Sequence, residues 1–149
     1  MQNFPIAIES KLNNLLTRTY DAEKGFNKAA EHTESLPLKA YFKERAQERE
    51  QFSKELKKEL NLFNAAATEE GSLLANAHRN WMDVKALFSS DNEEAMLQEA
   101  IRGEKTSIED YNEVLTESTL PKTTATLLTQ QKNKIATDLS RIRKLEDIK

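Results

Sequence analysis

The sequence predicts an all-α fold, a four-helix bundle made of two antiparallel hairpins joined by a long crossover that carries a fifth, short helix. Three observations predict it. Only three glycines and three prolines occur in 149 residues, while 38% of the residues are hydrophobic and 32% are charged, a mixture typical of amphipathic helices rather than strands. Apolar residues recur at spacings of three and four along four long segments, as on one face of a helix. The order long helix, proline-containing turn, long helix occurs twice.

The first hairpin occupies the N-terminal part of the chain. Its first helix is expected to begin near Pro5, since proline is favoured in a first turn, and to end near Glu34. Pro37 opens the second helix, which continues to Leu62, and so short a turn requires the two helices to pack antiparallel. The residues predicted to face inward are Ile8, Leu12, Leu15, Leu16, Thr19, Glu23, Phe26 and Ala30 on the first helix, and Leu38, Phe42, Arg45, Arg49, Phe52, Leu56 and Leu60 on the second.

The second hairpin follows a helix predicted over residues 72–88, which we interpret as the crossover. Ser90 and Glu93 form a capping box that starts the third long helix, expected to end near Glu117. Pro121 opens the final helix. The predicted inward residues are Leu97, Ile101, Glu104, Ile108, Tyr111 and Leu115, then Leu128, Gln131, Ile135, Leu139, Ile142 and Leu145.

Length and composition favour one domain, residues 1–149, located in the cytoplasm. The chain is long enough to bury its own core, it contains no cysteine, and it shows neither a secretory signal nor an apolar run long enough to span a membrane. Its net charge of -3 offers little attraction for nucleic acid. We therefore expect no nucleic acid partner and no stable membrane insertion.

Charge interrupts the inward face of the second helix at its centre, where Arg45 and Arg49 stand among apolar residues. Acids and amides are predicted at the same level of the bundle. They are Glu23, Glu48, Gln51, Glu104 and Gln131. Buried charges persist only when they are paired and hydrogen-bonded. The sequence therefore predicts a central polar cluster formed by these seven residues.

Two antiparallel helix pairs linked by one long crossover have the topology of ferritin-like bundles. Several segments resemble an uncharacterised bacterial family of ferritin-like four-helix-bundle proteins, distantly similar to stress-induced bacterial bundle proteins. These segments are Glu23-Lys24-Gly25-Phe26, Glu48-Arg49, Gly71-Ser72, His78-Arg79-Asn80-Trp81-Met82, Arg102-Gly103-Glu104, Tyr111 and Arg141-Ile142-Arg143. The crossover motif with His78, Arg79 and Trp81 is the most specific of them. The resemblance implies a ferritin-like bundle and no settled activity.

A di-metal centre in such a bundle needs a Glu from each of two helices and a Glu-x-x-His from each of the other two. Glu23 and Glu104 match the single-Glu positions, and Glu48 begins one Glu-x-x-His. The residues that stand in place of the remaining ligands are Gln51, Gln131 and Lys134. Because one guanidinium can bind two carboxylates, we interpret Arg45 and Arg49 as replacing the metal ions.

The function predicted from the sequence is therefore non-enzymatic. The chain is expected to be a ferritin-like structural or interaction protein, associated with stress through the resemblance, with no cofactor and no catalytic residue. Its partner would be an unknown protein or a second copy, as in a homodimer. One alternative is a metal-dependent ferritin-like oxidase or peroxidase using Glu23, Glu48 and Glu104. Another is an amphipathic bundle that opens on a lipid surface, which the absence of a basic polar face disfavours.

Overall fold

The computed structural model describes residues 3–68 and 93–142, and these contain four α-helices and no strand. Helix α1 spans Ile6–His32, α2 Leu36–Leu62, α3 Glu93–Leu115 and α4 Lys122–Arg141. The predicted all-α class is confirmed. The fifth helix predicted over residues 72–88, and Ser90 of the predicted capping box, lie outside the described residues.

The turn between α1 and α2 is short because both helix ends are fixed locally. Thr33 is extended (φ -85°, ψ 144°), so α1 ends at His32, two residues before the predicted Glu34. The Ser35 hydroxyl accepts a hydrogen bond from the backbone N–H of Leu38 at 3.3 Å and caps α2, as expected of an N-cap serine. Proline is tolerated in this first turn because a helix leaves its first N–H groups unpaired.

The C-terminus of α2 closes in a Schellman motif with Asn64 in the left-handed conformation (φ 60°). The backbone N–H of Ala65 donates to the Leu60 carbonyl at 2.9 Å, and that of Asn64 donates to the Asn61 carbonyl at 3.1 Å. Asparagine adopts this conformation more readily than most residues. Beyond the turn, the Asn13 side chain on α1 bonds two backbone positions of the departing chain, at 2.8 and 3.0 Å. The chain therefore leaves α2 held against α1.

The second pair of helices differs from the prediction only at its ends. Helix α3 ends at Leu115, two residues before the predicted Glu117, and a turn leads to Pro121, directly before α4. Ile142 is extended (φ -129°) and caps α4 instead of continuing it, although its side chain still packs against the core. The predicted inward residue Leu145 lies outside the described residues.

Neighbouring helices of the bundle run antiparallel. Lys11, near the start of α1, contacts Glu117, just beyond the end of α3, at 3.2 Å. Glu59, near the end of α2, accepts a hydrogen bond from Thr124, near the start of α4, at 2.6 Å. Since α1 is antiparallel to both α2 and α3, these last two helices point the same way. The end of α2 and the start of α3 consequently lie at opposite ends of the bundle.

The core consists of two apolar clusters at opposite ends of the bundle, with buried polar residues between them. One cluster is built around Phe26, Leu38, Phe42 and Leu97, the other around Leu12, Leu56, Tyr111 and Leu128. The predicted inward residues of α2 are all buried, and on α3 only Ile108 and Leu115 remain partly exposed. The three- and four-residue periodicity thus identified the packed faces correctly.

Within the described ranges, no helix combines the length and the apolar character needed to cross a membrane.

Candidate functional site

Arg49 lies at the centre of the polar layer between the two apolar clusters, with only 1% of its surface exposed. Its two terminal nitrogens both donate to the Glu104 carboxylate, through Nη2 to Oε1 and through Nη1 to Oε2 at 3.4 Å. Nη2 also donates to the Ser107 hydroxyl at 3.1 Å. The guanidinium carbon lies 5.8 Å from the ring centroids of Phe26 and Phe52. Cation–π contacts with two aromatic rings and a bidentate ion pair with Glu104 therefore hold the guanidinium in place.

Arg45 lies one turn earlier on α2, so its side chain emerges on the same face as Arg49. Its Nη1 pairs with Asp138 Oδ2 on α4 and lies 3.4 Å from Glu48 Oε2. The Glu48 carboxylate in turn lies 3.5 Å from Arg49 Nη1 and 3.2 Å from Lys134 Nζ. Glu48 thus joins the two arginines into one network that spans three helices.

The charges in this network balance. Its six members are Arg45, Glu48, Arg49, Glu104, Lys134 and Asp138, which are three cations and three carboxylates. Lys134, which pairs with Asp138 at 2.9 Å, is the most exposed, with 54% of its side chain accessible. We call this set the ion-pair layer. It needs no additional charge to be neutral.

Burial changes the proton affinity of the central pair. Burial raises the pKa of the Glu104 carboxyl, while the charge and hydrogen bonds of Arg49 oppose that rise. For Arg49, burial acts to lower the pKa, but Glu104, Tyr111 and Glu48 together outweigh it and the pKa is raised. Because a buried guanidinium without a counter-charge is costly, the ionised pair is the favoured state.

Gln131 forms a second buried polar group, next to the ion-pair layer. Its amide oxygen accepts a hydrogen bond from the Tyr111 hydroxyl at 2.6 Å, and its amide nitrogen donates to Glu55 Oε1 at 2.9 Å and to the Phe52 carbonyl at 3.3 Å. The predicted inward position of Gln131 is therefore confirmed. Its hydrogen bonds link α4 to α2 and α3 without using a charged member of the layer.

We expect the free energy of unfolding to fall as the pH rises above about 10. Burial raises the pKa of the Tyr41 and Tyr111 phenols well above their ordinary value of 10.0. Their contribution to stability is therefore complete below that value and is lost as the pH rises towards the folded-state pKa, because only the unfolded chain ionises them. Above pH 10, each phenol lowers the free energy of unfolding by up to about 1.4 kcal/mol per pH unit.

Urea unfolding at about pH 9 and about pH 11 measures this slope. The variant Tyr41→Phe should reduce the loss of stability between these two pH values by about 1.4 kcal/mol, an average slope of about 0.7 kcal/mol per pH unit, because an unfolded phenol is only half ionised at pH 10. An unchanged slope in that variant would show that Tyr41 ionises equally in both states.

The prediction that Gln51 belongs to the central cluster is wrong. Gln51 is exposed and donates a hydrogen bond to Glu55 at 3.3 Å. Two residues along a helix correspond to a rotation of about 200°, so a side chain at 51 points away from the face that carries Arg49. The expected Glu-x-x-His geometry, with Gln51 in the His position, is therefore not present on α2.

Of the other predicted residues, Glu23 lies half-buried on α1, three residues before Phe26. Its membership in the central cluster stays a prediction. The crossover residues His78, Arg79 and Trp81 lie outside the described part of the chain.

Asp138 was missed as a member of the cluster, and Ser107 likewise. Asp138 follows Gln131 by seven residues and Ile135 by three, a spacing that places it at the edge of the inward face of α4. Ser107 follows Glu104 by three residues on α3. This spacing was the available signal, but short polar residues at the edge of an apolar face are common on solvated surfaces as well.

The carboxylates at the centre of the bundle are also the candidate ligands of a di-metal centre. Among residues 3–68 and 93–142, no three His, Asp or Glu side chains gather into a group that could hold a metal ion. Glu23, Glu48 and Glu104 therefore do not form the set of ligands that a ferritin-like oxidase would need. The donors present do not fit a di-metal site, because Glu48 and Glu104 face guanidinium groups.

These observations define an all-helical bundle whose centre is a buried, charge-balanced ion-pair layer. The chain belongs to the family described as a domain of unknown function, DUF2383, whose model matches residues 7–117. The match covers α1, α2 and α3 and ends before α4, which supplies Lys134 and Asp138 to the layer. No curated protein matches the chain.

Proposed function

We propose that this domain is a non-enzymatic, ferritin-like bundle in which an ion-pair layer takes the place of a di-metal centre. Its role would be that of a stress-associated structural or interaction protein of the bacterial cytoplasm, with an unknown protein or a second copy as partner. The observation that carries the proposal is the buried contact of Arg49 with Glu104 between the apolar clusters.

Electrostatics supports this proposal over a metal-dependent enzyme. A divalent cation at Glu48 or Glu104 would meet the positive charges of Arg45 and Arg49 at the short distances of an ion pair. Repulsion between like charges is strong where water is excluded. A metal ion could bind only if a guanidinium left its carboxylate, and the buried guanidinium would then lack a partner.

Metal analysis tests the proposal. The purified protein is incubated with Fe(II) or Mn(II) without oxygen and desalted, and its metal content is measured by mass spectrometry. We expect well below one metal ion per chain and no rise of the melting temperature, because the carboxylates of the layer are already paired. Consumption of dioxygen after Fe(II) is added should equal that of buffer.

Two variants separate a real centre from metal on the surface. Glu48→Gln and Glu104→Gln each remove a carboxylate of the layer, whereas Glu50→Gln removes an exposed carboxylate on α2 and serves as the matched control. One or two metal ions per chain that disappear in the first two variants and persist in the control would overturn the proposal in favour of the oxidase.

A further inference from the structure

A groove of about 440 Å³ runs along the outside of the bundle between α3 and α4. Eight of the described residues line it, and six of them are five apolar residues and one lysine, namely Ile101, Lys105, Ile108, Ala136, Leu139 and Ile142. Ala136 has the smallest side chain among these lining residues. The volume of the groove lies within the range of small-molecule sites, about 300 to 1,000 Å³.

Among the described residues of this lining, Lys105 is the one cation, and it lies exposed on α3. The neighbouring exposed base on the same helix, Arg102, is engaged with Glu99 at 2.6 Å. Lys105, by contrast, makes no hydrogen bond or ion pair with the described residues. A single positive charge on an apolar groove is complementary to a ligand with one negative charge and a hydrocarbon body.

We propose that this groove binds a single-chain fatty acid. The carboxylate pairs with the Lys105 ammonium, and the acyl chain lies along Ile101 and Leu139 towards Ile142. Seven residues of α3 separate Lys105 from Gln98 at the end of the groove, a distance of about 10 Å, which suits a chain of medium length such as decanoate. One lysine supplies one positive charge, which balances a carboxylate but not the charge of about -1.5 to -2 on a phosphate monoester. The groove lies outside the ion-pair layer, so this inference does not depend on the proposed function.

Binding is measured with monomeric octanoate, decanoate and dodecanoate by isothermal titration, with decanol as the uncharged comparison. We expect one molecule per chain and an affinity that rises about fourfold per added methylene until the groove is filled. Decanoate should bind about fivefold to tenfold more tightly than decanol because of the charge on Lys105.

Three variants locate the site. Lys105→Gln should lower the affinity for decanoate to that for decanol. Ala136→Leu should lower the affinity for both ligands, because the larger side chain fills the groove. Lys122→Gln is the matched control, since Lys122 is an exposed lysine on α4, about 21 Å along that helix from Ala136. It should bind like the unmodified chain. Circular dichroism melts show that each variant is folded, and Lys105→Gln changes only an exposed side chain.

Several results would overturn the proposal. They are the absence of saturable binding, equal affinity for decanoate and decanol, and binding that survives both Lys105→Gln and Ala136→Leu. Sedimentation with anionic phosphatidylserine vesicles, without binding of free decanoate, would instead assign the groove to a membrane surface. A dimer in sedimentation equilibrium that Ala136→Leu dissociates would assign it to a second copy of the chain.

Discussion

Replacing Glu104 with leucine is expected to lower the free energy of unfolding by about 3 to 5 kcal/mol. Only 1% of Glu104 is exposed, and it is the carboxylate that both terminal nitrogens of Arg49 contact. Without it, the guanidinium stays buried and keeps the Ser107 hydroxyl and, as a counter-charge, the more distant Glu48. Arg49→Met should have a similar effect, because it leaves Glu104 buried with its charge uncompensated.

The double variant Arg49→Met with Glu104→Leu should recover most of this loss. Replacing a buried pair by apolar side chains of similar size removes both desolvation costs and is often neutral or stabilising. Urea unfolding of the four proteins gives the coupling energy from a double-mutant cycle. Glu99→Leu on the same helix is the matched control, since its partner Arg102 is half exposed; this change should cost at most about 1 kcal/mol. Additive effects of the two single changes would contradict the pairing.

Replacing Phe26 with alanine is the second large expected effect, a loss of about 3 to 5 kcal/mol. Phe26 is fully buried, and its ring centroid lies 6.2 Å from that of Phe42 and 5.8 Å from the Arg49 guanidinium carbon. Alanine would leave a cavity and would also remove one aromatic face from the buried charge. Urea unfolding measures the loss.

Two further variants serve as controls for Phe26→Ala. Phe26→Leu retains most of the volume and should cost less than half as much, whereas Leu36→Ala, at a side chain with 75% exposure, should change stability by no more than about 0.5 kcal/mol. A loss below about 1 kcal/mol for Phe26→Ala would mean that the core collapses around the missing ring.

The packed faces of the helices could be predicted from sequence because a three- and four-residue spacing directly reports a helix face. Ile8, Phe42, Leu97 and Leu128 are buried where that spacing placed them. Helix ends were less certain, since α1 and α3 each end two residues early. Those ends depend on single backbone conformations, such as extended Thr33, that few sequence signals determine.

The charged residues at the centre of the bundle could be predicted from the sequence only in part. That the buried arginines pair with the inward acids followed from the rule that buried charges need partners, and the structure brings Arg49 and Glu104 together. The placement of Gln51 failed because it followed the motif of a metal site instead of the helical angle. Asp138 was missed because its role depends on how α4 is rotated against α2, which no local pattern contains.

The contact between Arg49 and Glu104 joins residues 55 positions apart in the chain, and it joins one hairpin to the other. Apolar side chains alone would tolerate several alignments of α2 and α3, because one leucine can fill the position of another. A slip by one helical turn, about 5.4 Å, would instead separate the two charges and leave both buried among hydrocarbon. The ion-pair layer therefore favours a single alignment of the two hairpins over alignments shifted by a helical turn.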